Sequence, residues 1–248
     1  MLRRLKSISG VLMLGASCAL IMSCGTDHSK VRFVHASPDA LGLDVAVDGK
    51  TVATNLTFGG LSPASDYLTL TAGNHRVEFR STGTTDDLIN ATAGFASQTE
   101  YTLLAVELSP APPPNTPPSI AALLKTDNNS PPQSGNIKVR VIHSAPDPVD
   151  VQQNEPAHVD VYIVPPGSNI TNATPTIASL GYEQASDYQN VAAATYEIIV
   201  TRSTDLTKAR LIDQTYDFTA GQIRTLVTVD IPGGGSMSGT PLELSDLN

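Results

Sequence analysis

Hydrophobic residues in this chain recur with a period of two. Leu43, Val45 and Val47 alternate with Asp44, Ala46 and Asp48, and His75, Val77 and Phe79 alternate with Arg76, Glu78 and Arg80. Similar rows return as Val159, Val161 and Ile163, and as Tyr196, Ile198 and Val200. A strand turns successive side chains to opposite faces, so each row predicts a β-strand with one face on a core and the other in water. Tyr101-Thr-Leu-Leu-Ala-Val106 and Leu226-Val-Thr-Val229 are apolar on both faces or nearly so, which predicts central strands of a two-layer packing. Asp48-Gly49 suits a two-residue hairpin, because both central residues of a type I′ turn need positive φ. After the first 23 residues no helical stripe stands out. Many short strands between Gly, Pro, Asn and Asp turns predict an all-β sandwich.

The rows belong to a duplication. Val31-Arg-Phe-Val-His-Ala-Ser-Pro-Asp39 returns as Val139-Arg-Val-Ile-His-Ser-Ala-Pro-Asp147, and Ala64-Ser-Asp-Tyr67 returns unchanged as Ala185-Ser-Asp-Tyr188. A repeat of this kind sets the architecture. His35 and His143 are 108 residues apart, Tyr67 and Tyr188 are 121 apart, and the 13 extra residues map to two places. Eight enter with residues 149–156 and five with an enlarged loop at 165–175. Insertions at turns add little closure entropy. Because only the second copy is enlarged, it reads as the specialised one, with both loops expected at one end as contact points. The proline run at 109–118 resembles a linker, but a strand-like Ile120-Ala-Ala-Leu-Leu-Lys125 follows it. Leu242-Glu-Leu-Ser-Asp-Leu247 follows a glycine loop in the same way in the second copy. The expected organisation is therefore module 1 at 30–127, a short linker at 128–136 and module 2 at 137–248. So short a linker restricts the orientation of the modules.

The first residues carry an address. Arg3, Arg4 and Lys6 precede an apolar run over 11–22, the pattern of an export signal. The run falls short of the ~20 residues that span a bilayer. Ile21-Met22-Ser23-Cys24 resembles the lipobox of bacterial lipoproteins. That resemblance implies cleavage before Cys24, a thioether-linked diacylglycerol on its sulfur and acylation of the new amino group. Residues 1–23 are then the signal peptide and 24–29 a lipidated tether. Multiple acyl chains anchor stably where one does not. Gly25 differs from the aspartate that resembles an inner-membrane retention signal, so the expected address is the bacterial cell envelope, lipid-anchored at the outer membrane, periplasmic or surface-exposed. Cleavage also removes Cys18, leaving no thiol for a disulfide. Two domains of about 100 residues can rely on apolar cores instead.

The chain has 15 Lys and Arg against 24 Asp and Glu, and losing the three leader cations leaves 12 against 24, a formal charge of −12. That balance argues against nucleic acid and anionic lipid as partners. Trp is absent and aromatics are 5%, so stacking platforms for sugars are scarce.

The doubled V-R-[FV]-[VI]-H-[AS]-[SA]-P-D block, the following D-V strand and the A-S-D-Y segment together resemble the bacterial family called domain of unknown function 4397. Its members are often exported lipoproteins carrying the module singly or in tandem. The resemblance covers 30–127 and 137–247. It implies two tandem immunoglobulin-like or transthyretin-like β-sandwich domains after the lipoprotein signal peptide, with no known catalytic residues.

The repeated residues are the candidate sites. If Arg32 points outward, parity turns His35 into the core at the strand end, beside the turn formed by Ser37, Pro38 and Asp39; Pro38 suits the second turn position. His143, Pro146 and Asp147 repeat this. A buried imidazole bonded to the turn backbone or to the aspartate is the expectation. The alternative is a metal ligand, His35 with Asp39 or Asp44 and His143 with Asp147 or Asp160, a donor set closer to zinc or manganese than to calcium. Ser65, Asp66 and Tyr67, with Ser186, Asp187 and Tyr188, read either as a recognition patch or as a strand entry. In the latter, Ser or Asp binds turn amides and Tyr packs at a sandwich edge. No H-E-x-x-H, G-x-S-x-G, P-loop or C-x-x-C occurs. The expected function is a lipid-anchored, non-catalytic binding, adhesion or scaffold module for an envelope protein or polymer, with no cofactor and no nucleic acid. A metal-dependent sensor or enzyme centred on His35 or His143, and a purely structural envelope component, are the alternatives. Intact-mass measurement of the membrane-extracted protein should show a chain beginning at Cys24 with added acyl mass; a non-acylated mature chain would rule the anchor out.

Overall fold

Nineteen strands and no helix make up the described residues of the computed structural model, which are 27–108, 119–146, 149–150, 155–233 and 236–246. The leader with Cys24, the proline run and Asp147 lie outside them. No described helix is long and apolar enough to cross a membrane.

The first module runs through β1 (His28–His35), β2 (Leu43–Val47), β3 (Lys50–Leu56), β4 (Leu61–Ser62), β5 (Leu68–Thr71), β6 (Gly73–Ser81), β7 (Asp87–Phe95), β8 (Glu100–Glu107) and β9 (Ile120–Asp127). The second runs through β10 (Asn136–His143), β11 (Val149–Asp150), β12 (Glu155–Pro156), β13 (Val159–Val164), β14 (Ile177–Leu180), β15 (Gln189–Ala192), β16 (Thr195–Arg202), β17 (Arg210–Asp217), β18 (Ile223–Thr228) and β19 (Leu242–Ser245). Each module layers two sheets. In the first they are β4-β1-β8-β9, with β5 also on β1, and β3-β2-β6-β7. In the second they are β15-β10-β18-β19 and β14-β13-β16-β17. The first strand of each module runs parallel to the penultimate one, β1 to β8 and β10 to β18, and the other pairings are antiparallel.

The alternating rows form the cores as expected. Val31, Phe33, Leu43, Val45, Phe79 and Leu103 meet inside module 1, and Val139, Val141, Val161, Ile198, Val200 and Leu226 inside module 2. At the predicted hairpin Val47 pairs with Lys50, and Asp48 and Gly49 have φ of 51° and 78°.

The other faces of β1 and β10 depart from expectation. They do not face water. Val34, Leu104, Val106 and Leu123 of module 1 pack against Ile142, Val227, Val229 and Leu244 of module 2 in a third core. This explains why β8 and β18 are apolar on both faces: Leu103 serves the first core while Leu104 serves the seam between modules. Residues 128–135, between β9 and β10, are tied down as well. Asn129 Nδ2 donates to Tyr67 Oη at 3.1 Å and Glu100 Oε2 at 2.6 Å, and Lys138 Nζ donates to the Asn128 carbonyl at 2.7 Å.

Strand directions sort the connections into two ends. β1 and β10 both lead away from the end that holds the chain entry, the 128–135 connection and the last residues of β19. The described residues that follow β1, β3 and β6, and those that follow β10, β14, β16 and β18, lie at the far end. The far ends of the modules adjoin each other, since Gly233 N–H donates to Asp39 Oδ1 at 2.6 Å and Tyr182 Oη donates to the Glu107 carbonyl. β11 and β12 precede β13 and residues 165–175 follow it, so the described parts of the two enlarged loops lie at opposite ends of module 2 rather than together. The second loop also turns back over the outer sheet face: Lys208 Nζ donates to the carbonyls of Ile170 at 2.9 Å and Ala173 at 2.7 Å, and Ile170 packs on Tyr162 and Ile199.

Candidate functional site

The ion pairs of the seam are built from residues outside the expected set. Arg32 lies mid-strand in β1 on the face opposite Phe33, and its residue is 2% exposed. Register places it beside Thr102 of β8, and Arg32 Nε donates to Thr102 Oγ1 at 2.8 Å. The rest of the guanidinium crosses to module 2. Nη1 donates to the Ser245 carbonyl at 2.9 Å, and Nη2 pairs with Asp246. Arg140 repeats this in reverse, with Nε on Thr225 Oγ1 at 2.9 Å, Nη1 on the Thr126 carbonyl at 2.7 Å and Nη2 on Asp127. Each carboxylate is steadied by hydroxyls of its own module. Asp127 Oδ2 accepts from Tyr67 at 2.7 Å and Thr102 at 2.6 Å; Asp246 Oδ2 accepts from Tyr188 and Thr225, both at 2.8 Å. The remaining oxygen faces the other module's arginine. Burial opposes the charge of Arg32, but Asp246 and Asp127 more than offset that and hold its pKa above the ordinary value. Burial, with the Asp127 and Asp246 carboxylates, pushes the Tyr67 and Tyr188 hydroxyls well up, so both remain donors.

Tyr67 and Tyr188 therefore do not merely pack at a sandwich edge. Their rings lie 5.2 Å from Arg32 and 4.8 Å from Arg140, within cation–π range. Of the neighbouring residues, Asp66 acts locally, its Oδ1 accepting from the Tyr67 amide at 2.7 Å, whereas Ser186 Oγ accepts from the amide of Val141 in β10 at 3.0 Å. Beside each network a cleft opens. One of about 460 Å³ is lined by Arg32, Leu61, Ser65, Asp66, Tyr67 and Asp246 among others. Its counterpart of about 520 Å³ is lined by Lys125, Asp127, Arg140, Ser186, Asp187 and Tyr188 among others. Leu61 and Pro63 give the first an apolar wall, where Lys125 and Asn128 make the second polar. Carboxylate, hydroxyl and aromatic groups converge there, but no histidine or thiol does.

The histidines are buried as strand parity requires, and they bind backbone rather than aspartate. His35 Nε2 meets the Leu41 carbonyl at 3.0 Å; His143 Nε2 meets the Ala157 carbonyl at 2.9 Å, with Nδ1 on Thr228 Oγ1 at 2.9 Å. Pro38 and Asp39 form the expected turn, and Pro146 occupies the matching place. The aspartates proposed as metal ligands are engaged elsewhere. Asp39 holds Gly233 across the seam. Asp44 Oδ1 accepts from the Asn55 amide, and Asp160 Oδ1 from the Ser179 amide, both at 2.8 Å. Asn55 and Ser179 have positive φ, 49° and 51°, at register shifts in the strand pairing, so each aspartate supports a bulge at the same place in its module. Among the described residues no three His, Cys, Asp or Glu converge as a metal site would need.

Arg32, Arg140, Asp127 and Asp246 were legible in part. Arg32 and Arg140 stand inside the doubled block, and Thr126-Asp127 matches Ser245-Asp246 at the ends of matching strands. Nothing in the sequence signals that these residues exchange partners between modules.

The family model described as Domain of unknown function (DUF4397) matches residues 29–154, just over half the chain. The match takes in the strands of module 1 and continues through β10. Among solved structures, CBMbc (family CBM26) from Eubacterium rectale Amy13K in complex with maltoheptaose is similar at a TM-score of 0.26 and 10% identity, covering 86% of this chain and 97% of that one. The Bacillus anthracis TIE protein is similar at 0.24 and 10%, over 81% of this chain and 33% of that one. No curated protein matches the chain. At such scores the fold rests on the strand pairing itself.

Two outcomes follow for the network. Arg32→Ala leaves Asp246 buried without its counter-charge and should cost about 3–5 kcal/mol in a urea unfolding series, whereas Arg32→Met with Asp246→Leu should recover most of the loss. A double-variant loss equal to the sum of the Arg32→Met and Asp246→Leu losses would mean that the pair is not coupled. For His143, burial lowers the pKa from 6.5 to about 4. The folded value lies below the unfolded one, so the neutral ring's contribution is complete above pH 6.5 and is lost as the pH falls through about 4. It amounts to something on the order of 3 kcal/mol. His143→Gln should flatten the stability profile across that window; an unchanged profile would show that the ring does not titrate with unfolding.

Proposed function

The chain belongs to the DUF4397 family, and we propose that it works as a lipid-anchored, non-catalytic binding or scaffold unit of the bacterial cell envelope. Cys24 would carry the anchor. The two modules would act as one rigid unit presenting paired clefts to an envelope protein or polymer. The observation that carries this reading is the placement of both clefts at the seam, each bordered by a repeated Ser-Asp-Tyr segment on a network that holds the modules in one arrangement. Pre-organised polar groups around a concave surface favour recognition, and rigidity lowers the ordering cost of binding. Against an enzyme or metal-dependent sensor stands the state of His35 and His143, buried and committed to carbonyls. The purely structural alternative has one specific support: the signature residues hold module to module. Fold alone does not choose between the two.

Co-sedimentation of the purified mature chain with peptidoglycan, extracted surface polysaccharide and envelope membrane proteins distinguishes them. We expect saturable binding without turnover. It should fall at least tenfold when Asp66→Arg and Asp187→Arg fill both clefts while the thermal midpoint holds. Absence of saturable binding to every fraction would leave the structural component.

A further inference from the structure

Four large apolar side chains are exposed among the described residues: Leu41 at 81%, Phe58 at 39%, Leu206 at 95% and Ile231 at 41%. All four lie in connections at the far end, opposite the chain entry: after β1, β3, β16 and β18. Three of them are linked by contacts. The His35 ring sits edge-on to Phe58 at 6.3 Å and binds the Leu41 carbonyl, and Asp39 binds Gly233, two residues from Ile231. Single exposed hydrophobics need no explanation, but a cluster does.

The duplication supplies a control for this cluster. The contacts of His143 match Ala157 to Leu41, and Glu183 N–H on the His143 carbonyl matches Gly59 N–H on the His35 carbonyl, so Tyr182 matches Phe58. Module 2 thus builds the same framework with a buried Ala157 and with Tyr182 turned onto the Glu107 carbonyl. The fold requires no exposed leucine at this position. Charge narrows the occupant. Asp39 and Asp86 lie in the far-end connections of module 1, and residues 36–42, 57–60, 82–86, 231–233 and 236–241 contain no Lys or Arg. A second copy would bring the same acidic border, and anionic lipid would be repelled.

We propose that this far end, centred on Leu41, Phe58 and Ile231, is the docking surface for a protein partner whose contact carries apolar side chains bordered by lysine or arginine. The seam holds contributions from both modules at one end, and the His35 ring positions the Leu41 loop. The inference rests on the chain being a binding unit, but not on the clefts or on the anchor.

The test places a photoreactive benzoylphenylalanine at Leu41, at Asp66 in a cleft and at Lys50 in the opposite-end hairpin of the full-length chain in intact cells. Leu41 should yield a discrete protein adduct that Lys50 does not. The captured protein, identified and purified, should bind the chain at least tenfold more weakly after Leu41→Asp and after a rise from low to 0.5 M salt, with the thermal midpoint unchanged. Indifference to both changes, an adduct of twice the chain's mass, a lipid adduct or the same band from Lys50 would overturn it. An adduct from Asp66 alone would overturn this inference and leave the proposed function standing; no adduct at any position would count against both.

Discussion

A buried guanidinium needs an opposite charge, and neither module supplies a full complement for its own arginine. Arg32 can reach Thr102 within module 1, but its closest carboxylate belongs to Asp246, with Asp127 of its own module standing 3.7 Å from Nε. Arg140 is paired in the same reciprocal way with Asp127. Truncating one side chain of either pair while the modules stay packed would leave a desolvated charge without its partner, at a cost of several kcal/mol. The arrangement of the modules, the pair of clefts and the alignment of the far ends all depend on that exchange.

Attraction and register come from different parts of the seam. Apolar packing around Leu104, Val106, Ile142 and Val227 brings the faces together, since hydrophobic burial scales with area and has no direction. The arginines add direction. Each guanidinium is a planar fork, and here it is filled by one hydroxyl, one carbonyl and one carboxylate at fixed positions. A one-residue slip of either face would leave donors opposite side chains that cannot accept. The hydroxyls of Thr102, Tyr67, Thr225 and Tyr188 hold the carboxylates ready, so little ordering remains when the faces meet.

The sandwich layers were legible because period-two alternation is a local property: Leu43, Val45 and Val47 announce their strand without reference to anything distant. The paired glycine-containing turn at Asp48 and Gly49 was legible for the same reason. Parity put His35 and His143 on the core face with Phe33 and Val141, although the premise that Arg32 faces water did not hold. Arg32 was not legible, although it stands in the most visible motif of the chain. Its partner carboxylate lies 214 residues away, and an arginine opposite a core row ordinarily faces water. The clue was indirect. Tyr101-Thr-Leu-Leu-Ala-Val106 is more apolar than a strand with one wet face should be, and the second apolar face belongs to the other module. Metal ligation by Asp44 and Asp160 was suggested by chemistry and spacing, but bulge geometry engages both carboxylates with amides.

Duplication separates what the fold demands from what it permits. Arg, Thr, Tyr and Asp recur at matching places because both modules need them for the seam. Positions that differ are free of that demand. The pair Ala46 and Glu78 in module 1 corresponds in register to Tyr162 and Ile199 in module 2. In module 1, Glu78 lies between Arg76 at 2.5 Å and Arg80 at 2.9 Å; in module 2, the enlarged 165–175 loop covers Tyr162 and Ile199, fastened by Lys208. That enlargement therefore closes an apolar face, and the specialisation it suggested for module 2 has a structural cause. The opposite sense holds at the far end, where module 1 exposes Leu41 and Phe58 while module 2 keeps Ala157 buried and Tyr182 tethered. An exposed leucine is hydrated at a cost that the matching alanine avoids. Of the two copies, the shorter one carries Leu41 and Phe58, the part of that surface for which its counterpart shows a buried or tethered alternative.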